Sequence, residues 1–451
     1  MVFKSLNRLE ALILFVGDVV ILYVSLWITL FLRQFGAPSS AEWSKHLSAF
    51  AILFAVWLFS FFIAGLYEKH TTFLQKRLPG IILNTQIANS IIGMLFFYFI
   101  PYFGLTPKTT LFIYLIVSFF AIIMWRRYGS RVLLDRVQQP AILIGSGLEM
   151  HELLREVNEN PRYGMHFVSS LDLANVDSID FRQEIVDRVY ADRIMTVVID
   201  TKHEKMSTVL PVLYNLLFSG VRFIEMHKVY EDIFDRVPLS LVQYGWFLEN
   251  ISITRKVTYE FFKRAMDVMI AFPLLLLSLL LLPFVTLAIW VEDQGALFVI
   301  QERIGRNNRL IKIPKVRTMT GSDSGDAVLK SELTVTKVGA FLRKSRIDEL
   351  PQLWSVLMGH LSLIGPRPEL PALVKHYEEE VPFYNVRHLI APGLSGWGQI
   401  NDYDVPRQGV DIEKTKRKLS YDLFYIKNRS FMLDLKIALK TVKTLLSRAG
   451  I

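Results

Sequence analysis

The chain has 451 residues, 52% of them hydrophobic, and a formal net charge of +9 at pH 7. This composition is too apolar for an ordinary soluble protein and predicts membrane segments. The positive charge then favours anionic lipid headgroups and phosphorylated substrates over nucleic acid as partners. The absence of cysteine excludes disulfides, thiolate metal sites and a cysteine nucleophile.

Residues 1–135 are predicted to form four transmembrane helices, because they contain four apolar runs near the length that spans a bilayer core. No small-residue cleavage site follows the first run, so it is interpreted as a retained helix and not as a signal peptide. The four runs are Leu12–Leu32, Phe50–Leu66, Ile81–Ile100 and Leu111–Trp125.

Basic residues predict the orientation of these helices, because cytoplasmic loops carry an excess of Lys and Arg. With a cytoplasmic N-terminus, the outside loops carry only Arg33, Lys45 and Lys108. The inside segments then carry Lys4, Arg8, Lys69, Lys76, Arg77, Arg126, Arg127, Arg131 and Arg136. This asymmetry places the N-terminus and the residues after the fourth helix in the cytoplasm.

Residues 136–255 alternate between apolar strand patterns and helical patterns, which predicts a Rossmann-like α/β domain. Gly145 and Gly147 match the first two glycines of a dinucleotide-binding loop, but Met150 stands where the third belongs. A domain of this fold that binds no dinucleotide is therefore favoured. A nucleotide bound as a regulator stays an alternative.

Residues 259–292 carry a fifth membrane signal, in which Lys263, Arg264 and Asp267 precede the apolar run Val268–Val291. The run is long enough to span a bilayer, but it contains Pro283, and an interior proline kinks a helix. A spanning helix would put the rest of the chain outside the cytoplasm. A re-entrant helix that bends at Pro283 would return it to the cytoplasmic face.

Residues 345–368 hold the densest set of chemically useful side chains. Asp348 and Glu349 are adjacent, and Arg367 follows between two prolines that fix its backbone. One carboxylate fits a nucleophile that attacks phosphorus, and the other fits a magnesium ligand. A solvated helix N-terminus is the alternative, because acidic residues are favoured there by the macrodipole. Neighbouring residues on a helix diverge by about 100°, which argues against one shared task.

Further basic and glycine-rich positions surround this stretch. Lys315, Arg317, Arg343 and Arg346 add positive charge that fits phosphate or, alternatively, solvent and lipid headgroups. Pro392–Gln399 is glycine-rich and predicts close backbone approach to a ligand, with Arg387 and Gln399 as polar contacts. A turn around a core tryptophan is the alternative for this loop. The tail, Phe431–Leu446, is amphipathic and predicts a helix that lies in the membrane interface or packs on the domain core.

These residues resemble the bacterial sugar transferase family, the monotopic polyprenol-phosphate phosphoglycosyl transferases. The resemblance spans residues 259–447, and four N-terminal spans with an α/β domain are typical of the large members that start exopolysaccharide, capsule or O-antigen synthesis. The matching stretches are Lys263–Asp267, Arg303–Arg306, Lys315–Met319, Asp348–Gln352, Gly365–Pro368, Pro392–Gly396 and Tyr421–Tyr425.

The resemblance implies a two-step transfer. Asp348 would attack the β-phosphate of a UDP-sugar, releasing UMP, and undecaprenyl phosphate would then take the phosphosugar from the enzyme. Glu349 would hold Mg²⁺. Lys263, Arg264 and Asp267 would anchor the re-entrant helix, which breaks at Pro283. The substrate-binding residues would be Arg303, Lys315, Arg317, Arg367, Arg387 and Gln399.

The sequence therefore predicts a membrane α plus α/β protein: a four-helix transmembrane bundle, a Rossmann-like cytoplasmic domain, and a mixed α/β catalytic domain over residues 256–451. The predicted location is the cytoplasmic face of the bacterial inner membrane. The predicted partners are a UDP-sugar, undecaprenyl phosphate and membrane lipids, and a homodimer is one possible oligomeric state. A transporter or lipid carrier with a regulatory nucleotide-binding domain is the alternative function. It would need intramembrane charges, of which the four N-terminal runs offer little beyond Asp18.

Overall fold

The protein is described here by a computed structural model covering residues 2–67, 78–100, 108–129, 138–160, 163–178, 182–251, 257–320, 334–402 and 411–447. These residues are mostly helical, and they divide into two compact units. One unit contains residues 1–139 and 157–166, and the other contains residues 140–156 and 167–451. The prediction of several apolar helices together with an α/β region is confirmed.

The first unit contains long apolar helices because its sequence offers hydrophobic side chains on most faces. Leu22, Leu26 and Leu30 recur at helical spacing and are fully buried against Phe50 and Trp57 of a neighbouring helix. The helices are α1 (Val2–Gln34), α2 (Ser40–Ile63), α3 (Leu78–Phe99) and α4 (Lys108–Met124), followed by a π-helical turn at Trp125–Gly129. Helices α1, α2 and α3 each contain a segment long and apolar enough to cross a membrane, and α4 does so together with the π-helical turn.

A buried ion pair lies within this unit. Arg126 donates to both carboxylate oxygens of Asp18, which is fully buried in α1. Arg126 also donates to the carbonyl of Leu66 at 2.7 Å and lies over the ring of Tyr67.

The predicted orientation also depends on basic residues that lie outside the described residues, namely Lys69, Lys76, Arg77, Arg131 and Arg136.

The second unit begins with the α/β region. Its four strands are β1 (Gln139–Gly145), β2 (Met165–Asp172), β3 (Thr196–Ile199) and β4 (Arg222–Glu225). They form one sheet in the order β2-β1-β3-β4, in which β1–β3 and β3–β4 pair in parallel. Strands β1 and β3 are short and mostly apolar and buried, as parallel strands covered on both faces are. The helices are α5 (Gly147–Glu159), α6 (Arg188–Ala191), α7 (Met206–Leu216), α8 (Met226–Phe234) and α9 (Tyr244–Asn250).

A 37-residue helix, α10 (Val257–Asp293), leads into the remainder of this unit and runs without interruption through Pro273 and Pro283. The strands that follow are β5 (Phe298–Ile304), β6 (Leu310–Val316), β7 (Met319–Thr320), β8 (Thr334–Val335), β9 (Ser362–Ile364) and β10 (Gly393–Ser395). The helices are α11 (Lys337–Ser345), α12 (Gln352–Leu357), α13 (Pro371–Glu380), α14 (Trp397–Asn401), α15 (Ile412–Asn428) and α16 (Phe431–Ser447).

The main core of this region includes residues from both predicted domains. Trp397 and Leu423 are buried together with Val237 and Trp246, which precede α10 in the chain. Val237 also donates its backbone N–H to the carbonyl of Ser420 in α15. The segment around Val237 and Trp246 therefore packs into the core of the C-terminal region, whereas the sheet has a separate core that includes Ile142 and Val197.

Candidate active site

The acidic pair lies on a short 3₁₀ turn, Ile347–Glu349, between α11 and α12. Arg346 ends α11 in the left-handed conformation, with φ at 58°, and this turns the chain into the 3₁₀ segment. Pro351 immediately precedes α12, where the missing N–H of proline is tolerated. The acidic pair therefore lies on a separate turn that precedes helix α12.

Lys315 of strand β6 faces both carboxylates. Its ammonium nitrogen lies 3.8 Å from Oδ2 of Asp348 and 3.6 Å from Oε1 of Glu349. The predicted divergence of adjacent side chains thus does not separate the two groups. Both carboxylates lie close to the same cation, which comes from strand β6.

Glu349 is surrounded by positive charge. Its Oε1 lies 3.6 Å from Arg346 and 3.5 Å from Arg367, in addition to Lys315. Burial would raise the pKa of Glu349, but Arg367, Lys315 and Arg346 outweigh that effect and hold the pKa below its ordinary value. Glu349 is therefore ionised at neutral pH.

Asp348 has the opposite electrostatic setting. The residue is only 6% exposed, and its Oδ1 has no hydrogen-bond partner in the described part of the chain. Burial, followed by the nearby charge of Glu349, raises the pKa of Asp348 above its ordinary value. A buried carboxylate oxygen without a partner is poorly solvated, which suits a nucleophile and costs stability.

Of the remaining predicted substrate-binding residues, Arg303 lies near the acidic pair, whereas Arg317 and Gln399 contact other parts of the chain. Arg303 lies close behind Arg367 and donates to the carbonyl of Pro368 at 3.4 Å. Arg317 instead pairs with Asp293 at the end of α10. Gln399 donates to the carbonyl of Leu394 at 3.4 Å, and its buried Oε1 has no hydrogen-bond partner among the described residues.

Arg387 is also placed away from the acidic pair. It is 2% exposed and lies 2.8 Å from Asp422. Its Nη1 donates to the hydroxyl of Tyr384 at 2.6 Å, and its Nη2 donates to the backbone carbonyl of Arg367 at 3.0 Å. In this structure Arg387 reaches the acidic pair only through Arg367, so direct substrate contact by Arg387 stays a prediction.

The glycine-rich loop packs against protein backbone. A Cβ on Gly393 would lie 2.1 Å from the backbone nitrogen of Gly365, and one on Gly396 would lie 2.4 Å from the Gly365 carbonyl oxygen. Trp397 is buried and donates to the carbonyl of Asp235. These glycines therefore allow the chain on either side of β9 and β10 to approach closely, and the tryptophan belongs to the core.

The predicted anchor residues of α10 lie together at its N-terminal end. Lys263 donates to the carbonyl of Ile364 and pairs with Asp434 at 3.1 Å. Arg264 donates to the carbonyls of Val356 and Leu357. Asp267 accepts from the backbone N–H of Leu363 at 3.1 Å.

The other end of α10 contacts the same region. Glu292 accepts from the backbone N–H groups of Lys337 and Val338, which satisfies two donors at the start of α11. Between the two ends, Pro283 lies in the continuous helix. Both ends of α10 are therefore attached to elements that border the acidic pair.

An apolar groove of about 350 Å³ separates the middle of α10 from the acidic turn. Ile347 and Leu350, which flank Asp348 and Glu349, line its wall. Other lining residues are Leu279, Leu282, Phe298 and Trp354. The site therefore combines a cationic side with an adjoining apolar side.

Sequence reasoning missed the residues that support this site from behind. Glu369 and Lys418 form an ion pair, and Asp422 binds Arg387. A signal for them exists, because Lys418 and Asp422 are four residues apart and share one face of α15. Their partners are far away in sequence, so periodicity alone could not match them.

Comparison with known proteins assigns the chain to a class. The sequence model of the family described as "Bacterial sugar transferase" matches residues 258–448. An exopolysaccharide production protein from Rhizobium leguminosarum bv. phaseoli is 36% identical over 193 residues, which cover 41% of this chain and 96% of that protein. The chain belongs to the bacterial sugar transferase family, as predicted.

Two longer relatives carry more specific names. An Aeromonas hydrophila UDP-N-acetylgalactosamine-undecaprenyl-phosphate N-acetylgalactosaminephosphotransferase is 39% identical, over 43% of this chain and 45% of that protein. A Komagataeibacter xylinus undecaprenyl-phosphate glucose phosphotransferase is 32% identical, over 68% of this chain and 59% of that protein. The chain thus spans about half the length of these relatives.

Proposed function

We propose that the protein is a phosphoglycosyl transferase, which moves a hexose-1-phosphate from a UDP-sugar to undecaprenyl phosphate. The observation that carries this proposal is the pairing of a buried Asp348 oxygen without a partner with a cluster of cations on Glu349. Membership of the family and the activities for which the two longer relatives are named support it.

In the proposed first step, a carboxylate oxygen of Asp348 attacks the β-phosphorus of the UDP-sugar. The phosphoanhydride bond breaks, UMP leaves with its electron pair, and the phosphosugar stays bonded to Asp348. Lys315 and Arg367 lie where they neutralise charge on the phosphate oxygens as the new bond forms. Their distances of 3.5–3.8 Å to the carboxylates exceed ordinary hydrogen-bond lengths, so they are close without being locked in place.

In the proposed second step, a phosphate oxygen of undecaprenyl phosphate attacks the phosphorus of the covalent intermediate. Asp348 leaves as a carboxylate, and undecaprenyl-diphosphate-sugar forms. The apolar groove supports this acceptor, because it brings hydrocarbon-binding side chains to Ile347 and Leu350, on either side of the acidic pair. A soluble donor and a lipid acceptor can thus reach one nucleophile in turn.

Magnesium is the proposed cofactor, with Glu349 as its ligand. Across the described residues no group of three or more histidine or acidic side chains is arranged for a metal. The residues fit an ion held by one or two carboxylates and by substrate phosphates, which is usual for Mg²⁺. When bound, the ion would supply charge neutralisation at the phosphate oxygens.

We infer that α10 is re-entrant and that the catalytic region lies at the cytoplasmic face of the inner membrane. The attachment of both helix ends to residues 334–364 supports this, because the two ends of a helix that crossed the bilayer would lie on opposite faces of the membrane. Pro283 removes one backbone hydrogen bond within the helix, where a bend would fall.

The other parts of the proposed arrangement are a four-helix transmembrane bundle over residues 1–135, a Rossmann-like cytoplasmic domain over residues 136–255, and membrane lipids around α16. In α16, Lys436 and Lys440 lie over the ring of Trp397, whereas Leu435 and Val442 are exposed. The helix therefore packs on the domain through one face and presents apolar side chains on another, which suits the membrane interface.

The test is incubation of the purified full chain with UDP-sugars in the absence of lipid acceptor. The proposal predicts release of UMP and a phosphohexose mass on the peptide that contains Asp348. Addition of undecaprenyl phosphate should then remove that mass and yield the lipid-linked sugar. UMP release without covalent labelling, or labelling at another residue, would contradict the mechanism.

The donor and the topology are tested separately. A panel of UDP-glucose, UDP-galactose and their N-acetylated forms identifies the sugar, because no residue in the sequence distinguishes them. A tag placed after Ile451 should be inaccessible to a membrane-impermeant reagent on intact cells. External labelling of that tag would mean that α10 crosses the membrane.

A further inference from the structure

We propose that Arg387 is a positioning residue that aims Arg367 at the phosphate, and that it acts through the backbone of Arg367 and not by touching substrate. The inference rests on the proposed function for the chemistry that it serves. Its structural basis is a set of hydrogen bonds to the short segment Pro366–Glu369.

All four consecutive carbonyls of this segment accept hydrogen bonds, and the donors come from three separate places in the chain. Pro366 accepts from the backbone of Gly393 at 2.9 Å, and Glu369 accepts from the backbone of Ile304 at 3.0 Å. Arg367 accepts from Arg387 at 3.0 Å, and Pro368 accepts from Arg303 at 3.4 Å. Since Pro366 and Pro368 also restrict the backbone, the segment has little freedom to move.

Arg387 is the member of this set that is itself held from several directions. Its guanidinium contacts Tyr384 and Asp422, and its Nη1 lies 3.8 Å from the carboxylate of Glu369. Burial would raise the pKa of Glu369, but Lys418 and Arg387 outweigh that effect and lower it to about 2. The cluster of Arg387, Glu369, Lys418 and Asp422 is thus a charged network beneath the Arg367 segment.

Such a network is not an efficient way to gain stability. A buried ion pair is often matched by apolar residues of similar volume, because desolvation offsets the attraction between the charges. The planar guanidinium of arginine does, however, fix the directions of its hydrogen bonds, which an apolar cluster would leave free. The guanidinium of Arg387 contacts the carbonyl of Arg367 as well as Tyr384 and Asp422. It therefore ties the backbone of Arg367 to the buried network, and this fixes the position from which the Arg367 side chain extends.

A double-mutant cycle on UMP release tests this role. Arg387→Lys keeps the charge but loses the fork, and it should lower kcat/KM about tenfold, because small misplacements of a catalytic group are costly. Arg367→Lys should lower it by at least as much. If Arg387 acts through Arg367, the double variant should be no worse than Arg367→Lys within about twofold. Multiplied losses would overturn the proposal.

Two further variants protect the test against misfolding. Tyr384→Phe removes only one hydroxyl partner of Arg387 and should cost about threefold in the native background and nothing in Arg367→Lys. Arg417→Gln is the control, because Arg417 lies in α15 close to Asp422 in sequence but pairs with Asp402 and not with the Arg367 segment. A loss with Arg417→Gln as large as that with Arg387→Lys would indicate a general structural effect and overturn the proposal.

The same cycle is run on UDP binding by calorimetry, which needs no turnover. A native chain that binds UDP but releases no UMP from any UDP-sugar would refute the proposed function alone. The coupling between Arg387 and Arg367 in the Kd for UDP would still decide this inference. Independent effects on that Kd would refute it, whether or not the enzyme turns over.

Discussion

Two buried carboxylates in this molecule are paired with cations in different ways. Asp18 in the first unit is fully buried, and both its oxygens accept from Arg126. Asp348 in the second unit is almost as buried, yet its Oδ1 has no partner among the described residues, and its nearest cation, Lys315, lies 3.8 Å away.

The difference separates a structural ion pair from the proposed reactive site. Removing one partner from a buried, fully paired carboxylate leaves an uncompensated charge, so the pair is expected to hold its helices together. An unpaired oxygen gives no such stability, but it is available to form a bond. The comparison also weakens the transporter alternative, because Asp18, the charge on which that alternative rests, is neutralised by its neighbour.

The largest predicted effect is on activity at Asp348. Asp348→Asn should lower UMP release by about 10⁴-fold or more, as expected for loss of a nucleophile. Its thermal unfolding midpoint should not fall, because the amide removes a buried charge that had no partner on Oδ1. Activity assays and thermal unfolding on the same preparation check both parts. An inactive protein that is also strongly destabilised would make Asp348 resemble Asp18.

The opposite pattern is predicted at Arg126. Arg126→Leu should destabilise the protein by about 3–5 kcal/mol, because Asp18 stays buried without its partner. UMP release per folded molecule should stay unchanged. Thermal unfolding in detergent measures the loss, and the double variant Asp18→Leu/Arg126→Leu should recover most of it. No recovery in the double variant would show that the ion pair is not the cause.

A smaller effect is predicted at Glu349. Glu349→Gln should lower UMP release about 100-fold and flatten its dependence on added Mg²⁺, because the proposed metal ligand is lost. A magnesium titration after chelation checks this, with the native chain as reference. An unchanged titration curve in the variant would place the metal elsewhere.

The smallest predicted effect is a shift in pH dependence. Burial and Glu349 raise the pKa of Asp348, whereas Lys315 lowers it. Only the ionised form attacks, so kcat/KM should rise with pH through that pKa and then level off. Lys315→Gln removes the lowering influence and should move the acid limb of the profile to higher pH. The loss of a cation at the phosphate lowers kcat/KM at every pH, so the position of the limb is the readout. A shift of the limb by one pH unit lowers kcat/KM about tenfold further below the pKa. Lys312→Gln, on the same strand, is the control and should leave the profile in place.

Much of the site was predictable from local sequence. Adjacent acidic residues, an arginine between prolines and a basic strand are short-range patterns, and they named Asp348, Glu349, Arg367 and Lys315. Gly393 was identified as a place of close approach, but the sequence could not show that its neighbour is the backbone of Gly365. The sequence predicts Arg387 as a ligand contact because it precedes the glycine-rich loop. Its ion pair with Asp422 could not be predicted, because Asp422 lies 35 positions further along the chain.

The sequence by itself determined the apolar helices, the alternating strands and helices of the α/β region, and the identity of the acidic pair. These features depend on hydrophobic periodicity and on residue type, which are local properties. Only the tertiary structure decided that one lysine faces both carboxylates, that Arg387 lies behind Arg367, and that α10 is attached at both ends to one region. Such facts depend on which distant segments share a core, and no spacing along the chain encodes them.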